Sequence, residues 1–104
     1  MYPKNGYSED VAIHVVRISL AARKSLRKVP PHVLDKLEVW VDSVERDGLE
    51  QTRKIPGYHD EPLRGARRGQ RSIRLNRSYR AIYEISQEGH LDVVSIKEVT
   101  KHEY

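Results

Sequence analysis

Between Ala12 and Ser19 the chain is β-branched and partly alternating, Ile13-His14-Val15-Val16-Arg17-Ile18, which predicts a first strand. The period then changes. Ser19 is placed to N-cap a short helix over Leu20 to Arg27 whose Ala22 and Leu26 point inward. Pro30-Pro31 ends that helix, and Pro31 suits the first turn of a second one that runs to about Asp47. There Val33, Leu34, Leu37, Trp40, Val41 and Val44 recur at helical spacing along one stripe, and Gly48 is a natural terminator. Two helices joined by a proline turn form a hairpin, which must bury its stripe against another layer.

From Leu49 to Gly69 the chain is rich in Gly, Pro and charge, with only Leu49, Ile55 and Leu63 as apolar anchors. It reads as a short helical turn over Leu49 to Lys54 followed by a long loop, and loops of that length are usually functional or disordered. The remainder is β. Arg71 to Leu75 alternates, Asn76-Arg77-Ser78 turns, and Tyr79 to Ile85 returns. Gln87-Glu88-Gly89 turns again before a third consecutive strand over Leu91 to Val99. The expected fold is α+β, a small and mostly antiparallel sheet of about four strands packed against an N-terminal helical hairpin.

Alternation sorts these strands onto two faces. Ile73 and Leu75 share the core face, which leaves Ser72 and Arg74 on the other. In the return strand Tyr79, Ala81, Tyr83 and Ile85 go with the core, and Arg80, Ile82 and Glu84 lie opposite. Arg74 and Arg80 are therefore expected on one uncovered face.

Length and charge narrow the picture. A chain of 104 residues implies one domain over 1–104, with the polar, tyrosine-bearing residues 1–10 as a flexible extension. Cysteine is absent, so there is no disulfide framework or thiolate chemistry, in keeping with a reducing cytoplasm. No apolar run has the length of a signal or a membrane span, so a cytoplasmic protein with no membrane partner is expected. The formal net charge is +4 and unevenly placed. From Pro62 to Ile82 stand Arg64, Arg67, Arg68, Arg71, Arg74, Arg77 and Arg80, with no acid among them. Such a block repels itself unless a polyanion is near, and arginine suits bidentate phosphate contacts and base stacking. RNA is the expected polyanion. The five histidines are scattered without ligand spacing, and no Gly-rich phosphate loop precedes a helix, so neither a metal nor a cofactor is expected.

The run Pro62-Leu63-Arg64-Gly65, then Gly69-Gln70-Arg71-Ser72-Ile73-Arg74-Leu75, then Tyr79-Arg80-Ala81-Ile82-Tyr83-Glu84-Ile85, ending in Lys101-His102-Glu103-Tyr104, resembles the RelE family of bacterial toxin–antitoxin toxins and the related YoeB, YafQ and HigB toxins. The resemblance implies the α+β fold already read. It also implies a type II toxin that cleaves mRNA in the ribosomal A site, inhibits translation and is silenced by a cognate antitoxin. Arg80 falls on the arginine that stabilises the reacting phosphate in RelE. Arg74 falls where RelE has a lysine and YafQ a histidine, both tied to catalysis. Ser72 departs from the pattern, since RelE has a catalytic lysine there. Glu61 precedes the Pro-Leu pair, where YafQ has a histidine implicated in acid–base work, and Tyr104 matches the C-terminal tyrosine of RelE and YoeB, with His102 close by.

Metal-free RNA cleavage needs a base for the ribose 2′-OH, cations for the crowded phosphate and an acid for the leaving 5′ oxygen. Its products are a 2′,3′-cyclic phosphate and a 5′-OH. Arg74 and Arg80 supply the cations, but a guanidinium holds its proton too tightly to act as base. That role is open to His102, Glu61, His59 or the tyrosine. His102 is preferred because histidine titrates near physiological pH, with Glu61 second and Tyr104 stacking on or orienting the nucleotide. Arg64, Arg67, Arg68, Arg71 and Arg77 are read as RNA-backbone contacts. Two other readings compete: a ParE-like inhibitor of DNA gyrase with the same fold and no nuclease chemistry, and a basic binding module without activity. The expected partners are mRNA, the bacterial ribosome and an antitoxin that covers the basic sheet.

Overall fold

A computed structural model of the chain describes residues 12–101. The expected extension over residues 1–10 and the tail candidates His102 and Tyr104 lie outside the described residues.

In chain order the elements are β1 (Val16–Ile18), α1 (Leu20–Leu26), α2 (Pro31–Asp47), α3 (Leu49–Arg53), β2 (Glu61–Pro62), β3 (Gln70–Arg74), β4 (Tyr79–Glu88) and β5 (Leu91–Lys101). The strands form one sheet in the order β1-β5-β4-β3-β2, antiparallel except where β1 runs parallel to β5. The architecture is the expected α+β one. No helix among the described residues is long and apolar enough to cross a membrane.

Local chemistry sets the helix ends. Ser19 is extended, and its hydroxyl accepts from the Ala22 N–H at 3.0 Å while donating to the Lys97 carbonyl at 3.1 Å. One side chain thus caps α1 and fastens it to β5. In α2 the stripe of Val33, Leu37, Trp40 and Val44 is fully buried with Tyr83, Ile73, Val94 and Ile96 of the sheet. The Trp40 and Tyr83 rings lie 5.2 Å apart between centroids. Gly48 ends α2 at φ 91°, where a Cβ would meet the His14 ring at 3.4 Å. The buried hydroxyls of Ser43 and Thr52, 2.7 Å apart, join α2 to α3.

The sheet has five strands where about four are expected. The addition is β2, a two-residue edge strand pairing Glu61 with Ser72 and Pro62 with Arg71. A proline-containing pair carries no alternation from which a strand can be read. The long loop is otherwise built of two 3-10 turns, Pro56–Tyr58 and Gly65–Arg67. The second β turn moves to Gly89 and His90, with Gly89 at φ 63°, because the polar residues Ser86, Gln87 and Glu88 remain in β4.

A bulge interrupts the β4–β5 ladder: Ile82 pairs with Glu98 and Tyr83 with Ile96, leaving Lys97 extra. That insertion lets Ile96 and Val99 both face the helices although they are three residues apart. Ile85, read as a core residue, is 46 % exposed at the far end of the sheet.

Candidate active site

The β3–β4 turn is held by one side chain. Asn76 Oδ1 accepts from the Ser78 and Tyr79 amides at 2.8 and 2.7 Å, and its amide nitrogen lies 3.3 Å from His32 Nε2 at the start of α2. This Asx turn anchors the end of the hairpin to the helical layer.

Arg74 and Arg80 pair directly across the first rung beside that turn. Like charges opposite one another destabilise a sheet. Among the described residues no carboxylate lies within 4.0 Å of either guanidinium, although Glu84 and Glu98 are on the same face. Arg80 Nη1 instead reaches back to the Ser72 hydroxyl at 3.4 Å. Ser72 pairs with Glu61 on its other side, so the register puts Glu61, Ser72, Arg74 and Arg80 on one face. Thr100, opposite Arg80, closes the row, and β5 ends one residue later at Lys101, from which the chain leads to His102.

The rest of the arginine block divides. Arg64, Arg68 and Arg77 are exposed. Arg67 donates to Gln70 and to Glu98, each at 2.9 Å, and so spans β4 from one flanking strand to the other. Beneath this arch Ile82 and Ser72 are buried, which makes the face expected to be open a partly roofed one.

Arg71 faces the other way. With Ile73 it points to the helical side, where it pairs with Asp60, whose side chain is 1 % exposed. Asp60 also accepts from the Tyr83 hydroxyl. Burial, then the bond and charge of Asp60, raise the Tyr83 phenol above its ordinary range, and the charges of Arg71 and Arg53 offset this only in part. Burial opposes the Arg71 cation, but Asp60 and Tyr83 outweigh it and raise the Arg71 pKa. An arginine committed in this way is spoken for, so the RNA-backbone role read for Arg71 has no support in its geometry.

Sequence reasoning singled out neither Asp60 nor the arch of Arg67, Gln70 and Glu98. The alternation of β3 was a usable signal for Arg71, since it puts that residue with Ile73. Nothing local marks Asp60, which lies in a charged loop beside His59 and Glu61.

No protein-family model and no curated protein matches the chain. Several solved structures do match it in fold. A YoeB/ParE toxin from Agrobacterium tumefaciens superposes with a TM-score of 0.64 at 16 % identity, covering 86 % of this chain and 99 % of that one. The RelBE2 toxin–antitoxin complex from Mycobacterium tuberculosis gives 0.61 at 25 % identity, with 86 % and 99 % covered. YafQ from E. coli gives 0.64 at 16 % identity over 83 % of this chain and 90 % of that one. The helical hairpin on a mostly antiparallel sheet, with a basic β3–β4 end, is thus a toxin fold. More particularly, it is the fold of the RelE, YoeB and YafQ toxins.

Proposed function

We propose that this chain is the toxin of a bacterial type II toxin–antitoxin pair, a ribosome-dependent endoribonuclease that cleaves mRNA without a metal. The observation that carries the reading is the placement of Arg74 beside Arg80, with no described carboxylate to neutralise them and Glu61 on the same face, one strand from Arg74 and two from Arg80. A phosphodiester supplies the missing charge. Its crowded, pentacoordinate state carries more negative charge than the ground state, so paired guanidiniums favour the transition state.

In the reaction a base takes the 2′-OH proton, O2′ bonds to phosphorus, and the bond to O5′ breaks as an acid protonates it. One fragment ends in a 2′,3′-cyclic phosphate, the other begins with a 5′-OH. The register of Glu61 against Ser72 supports Glu61 as base, with His102 as its partner acid and Tyr104 against the nucleotide. Arg64, Arg68 and Arg77 position the RNA backbone. The site is a partly roofed sheet face rather than a cleft, so it relies on the ribosome to hold the substrate in line. The RelBE2, DinJ–YafQ and YoeB–YefM structures are toxin–antitoxin complexes, which supports a cognate antitoxin for this chain as well, matching acids to the basic face. Such a toxin acts in the cytoplasm.

The test is controlled expression followed by mapping of mRNA 5′ ends, with Arg80→Ala and Glu61→Gln alongside. New ends within translated codons are expected, lost with Arg80→Ala and reduced but still measurable with Glu61→Gln. Intact mRNA with DNA breaks that depend on gyrase would replace this reading with the gyrase inhibitor.

A further inference from the structure

The mechanism leaves one buried carboxylate without a task. Asp60 sits immediately before β2, yet it bonds Arg71 and Tyr83 on the helical side of the sheet, while Glu61 beside it is in register with Ser72 on the opposite face. The two acids straddle the edge of the sheet. The chain enters this segment through His59, whose φ of 47° is the only positive value at a described non-glycine residue. It leaves through the Leu63 amide, which donates to the Gln70 carbonyl at 2.9 Å. A strand of two residues, one of them a proline, has too few ladder bonds to hold its own place. Asp60 supplies what the ladder lacks, a buried tie to the middle of β3 and β4.

We propose that Asp60 is a positioning residue for Glu61: its bonds to Arg71 and Tyr83 pin the edge strand, so that the next carboxylate is held across from Ser72, the residue to which Arg80 reaches. The catalytic half of this inference rests on the nuclease reading of Glu61; the tether does not.

Two measurements separate them. Hydrogen exchange reads the tether: in Asp60→Ala the Leu63 amide exchanges about tenfold faster or more, while the Val94 amide, bonded to the Val15 carbonyl at 2.8 Å, keeps its protection. Asp60→Asn retains an acceptor for Tyr83, folds more readily and shows a smaller change in the same direction. Unchanged Leu63 exchange in both variants overturns the tether, whatever the activity. Single-turnover mRNA cleavage on programmed ribosomes reads the positioning. Asp60→Ala slows the step about tenfold or more at unchanged half-saturating toxin concentration, and adds nothing further in a Glu61→Gln background. An equal loss in both backgrounds overturns action through Glu61. A wild-type protein that cuts no mRNA refutes the nuclease reading and the catalytic half together, and the exchange result still judges the tether.

Discussion

Arg71 and Arg74 stand three residues apart on one strand and live in different electrostatic worlds. Arg71 points into the helical layer, where Asp60 and Tyr83 meet it. Arg74 points to the other face beside a second arginine, and no described carboxylate comes within ion-pair distance. The Asp60 carboxylate is buried and must be matched inside the protein, because water is not there to stabilise it. A surface charge can be left for a ligand. The lesson is that a run of like residues in sequence is not a run of like environment: β alternation sends Arg71 to a partner in the helical layer and leaves Arg74 and Arg80 side by side on the other face.

The sharpest break is functional. Arg80→Ala should lower mRNA cleavage on the ribosome by roughly 100- to 1,000-fold, the range for removing one transition-state donor. Its unfolding free energy should move by no more than about 0.5 kcal/mol, since a repulsive neighbour of Arg74 is removed. Single-turnover kinetics and urea melts check the two halves. Arg71→Ala should do the reverse to stability: truncating one partner of a buried pair costs about 3 kcal/mol, visible as a lower urea midpoint at unchanged slope.

A smaller effect tests the Tyr83 end of the buried cluster. Tyr83 keeps its proton in the folded protein at pH values where an unfolded tyrosine ionises. The unfolded chain therefore loses that proton first. Its stabilising contribution is complete below about pH 10 and is lost as pH rises beyond it. Tyr83→Phe should cost about 1 kcal/mol at neutral pH and flatten this alkaline decline, as urea midpoints across the range will show. The smallest effect concerns salt. Binding of a non-cleavable single-stranded RNA should weaken with salt, and Arg74→Ala should reduce the log–log slope by about 0.7, one phosphate contact. Arg71→Ala should leave that slope unchanged.

Much of the scaffold is legible because its signals are local. The stripe of α2, the Ser19 cap, Pro31 and Gly48 set the helices almost to the residue. Alternation in β3 and β4 places Arg74 and Arg80 together without any tertiary knowledge. The three-residue step from Ile96 to Val99 was a further local sign, since two core positions at odd spacing require a bulge between them. What was not legible depends on contacts distant in sequence. β2 exists only because Ser72 and Arg71 are there to pair with it, and Asp60 is buried only because Tyr83 lies 23 residues away in the sequence and beside it in space. The roof over Ile82 likewise comes from Arg67 reaching Glu98, 31 residues distant.

The central claim is that the Arg74–Arg80 face holds a reacting phosphodiester. It is tested most directly by incubating the purified protein with ribosomes carrying a defined mRNA and examining the chemical ends of the products. A 2′,3′-cyclic phosphate facing a 5′-OH within the A-site codon, absent with Arg80→Ala and retained with Arg77→Lys, is the predicted result. Intact mRNA, or cleavage undiminished by Arg80→Ala, would contradict the account.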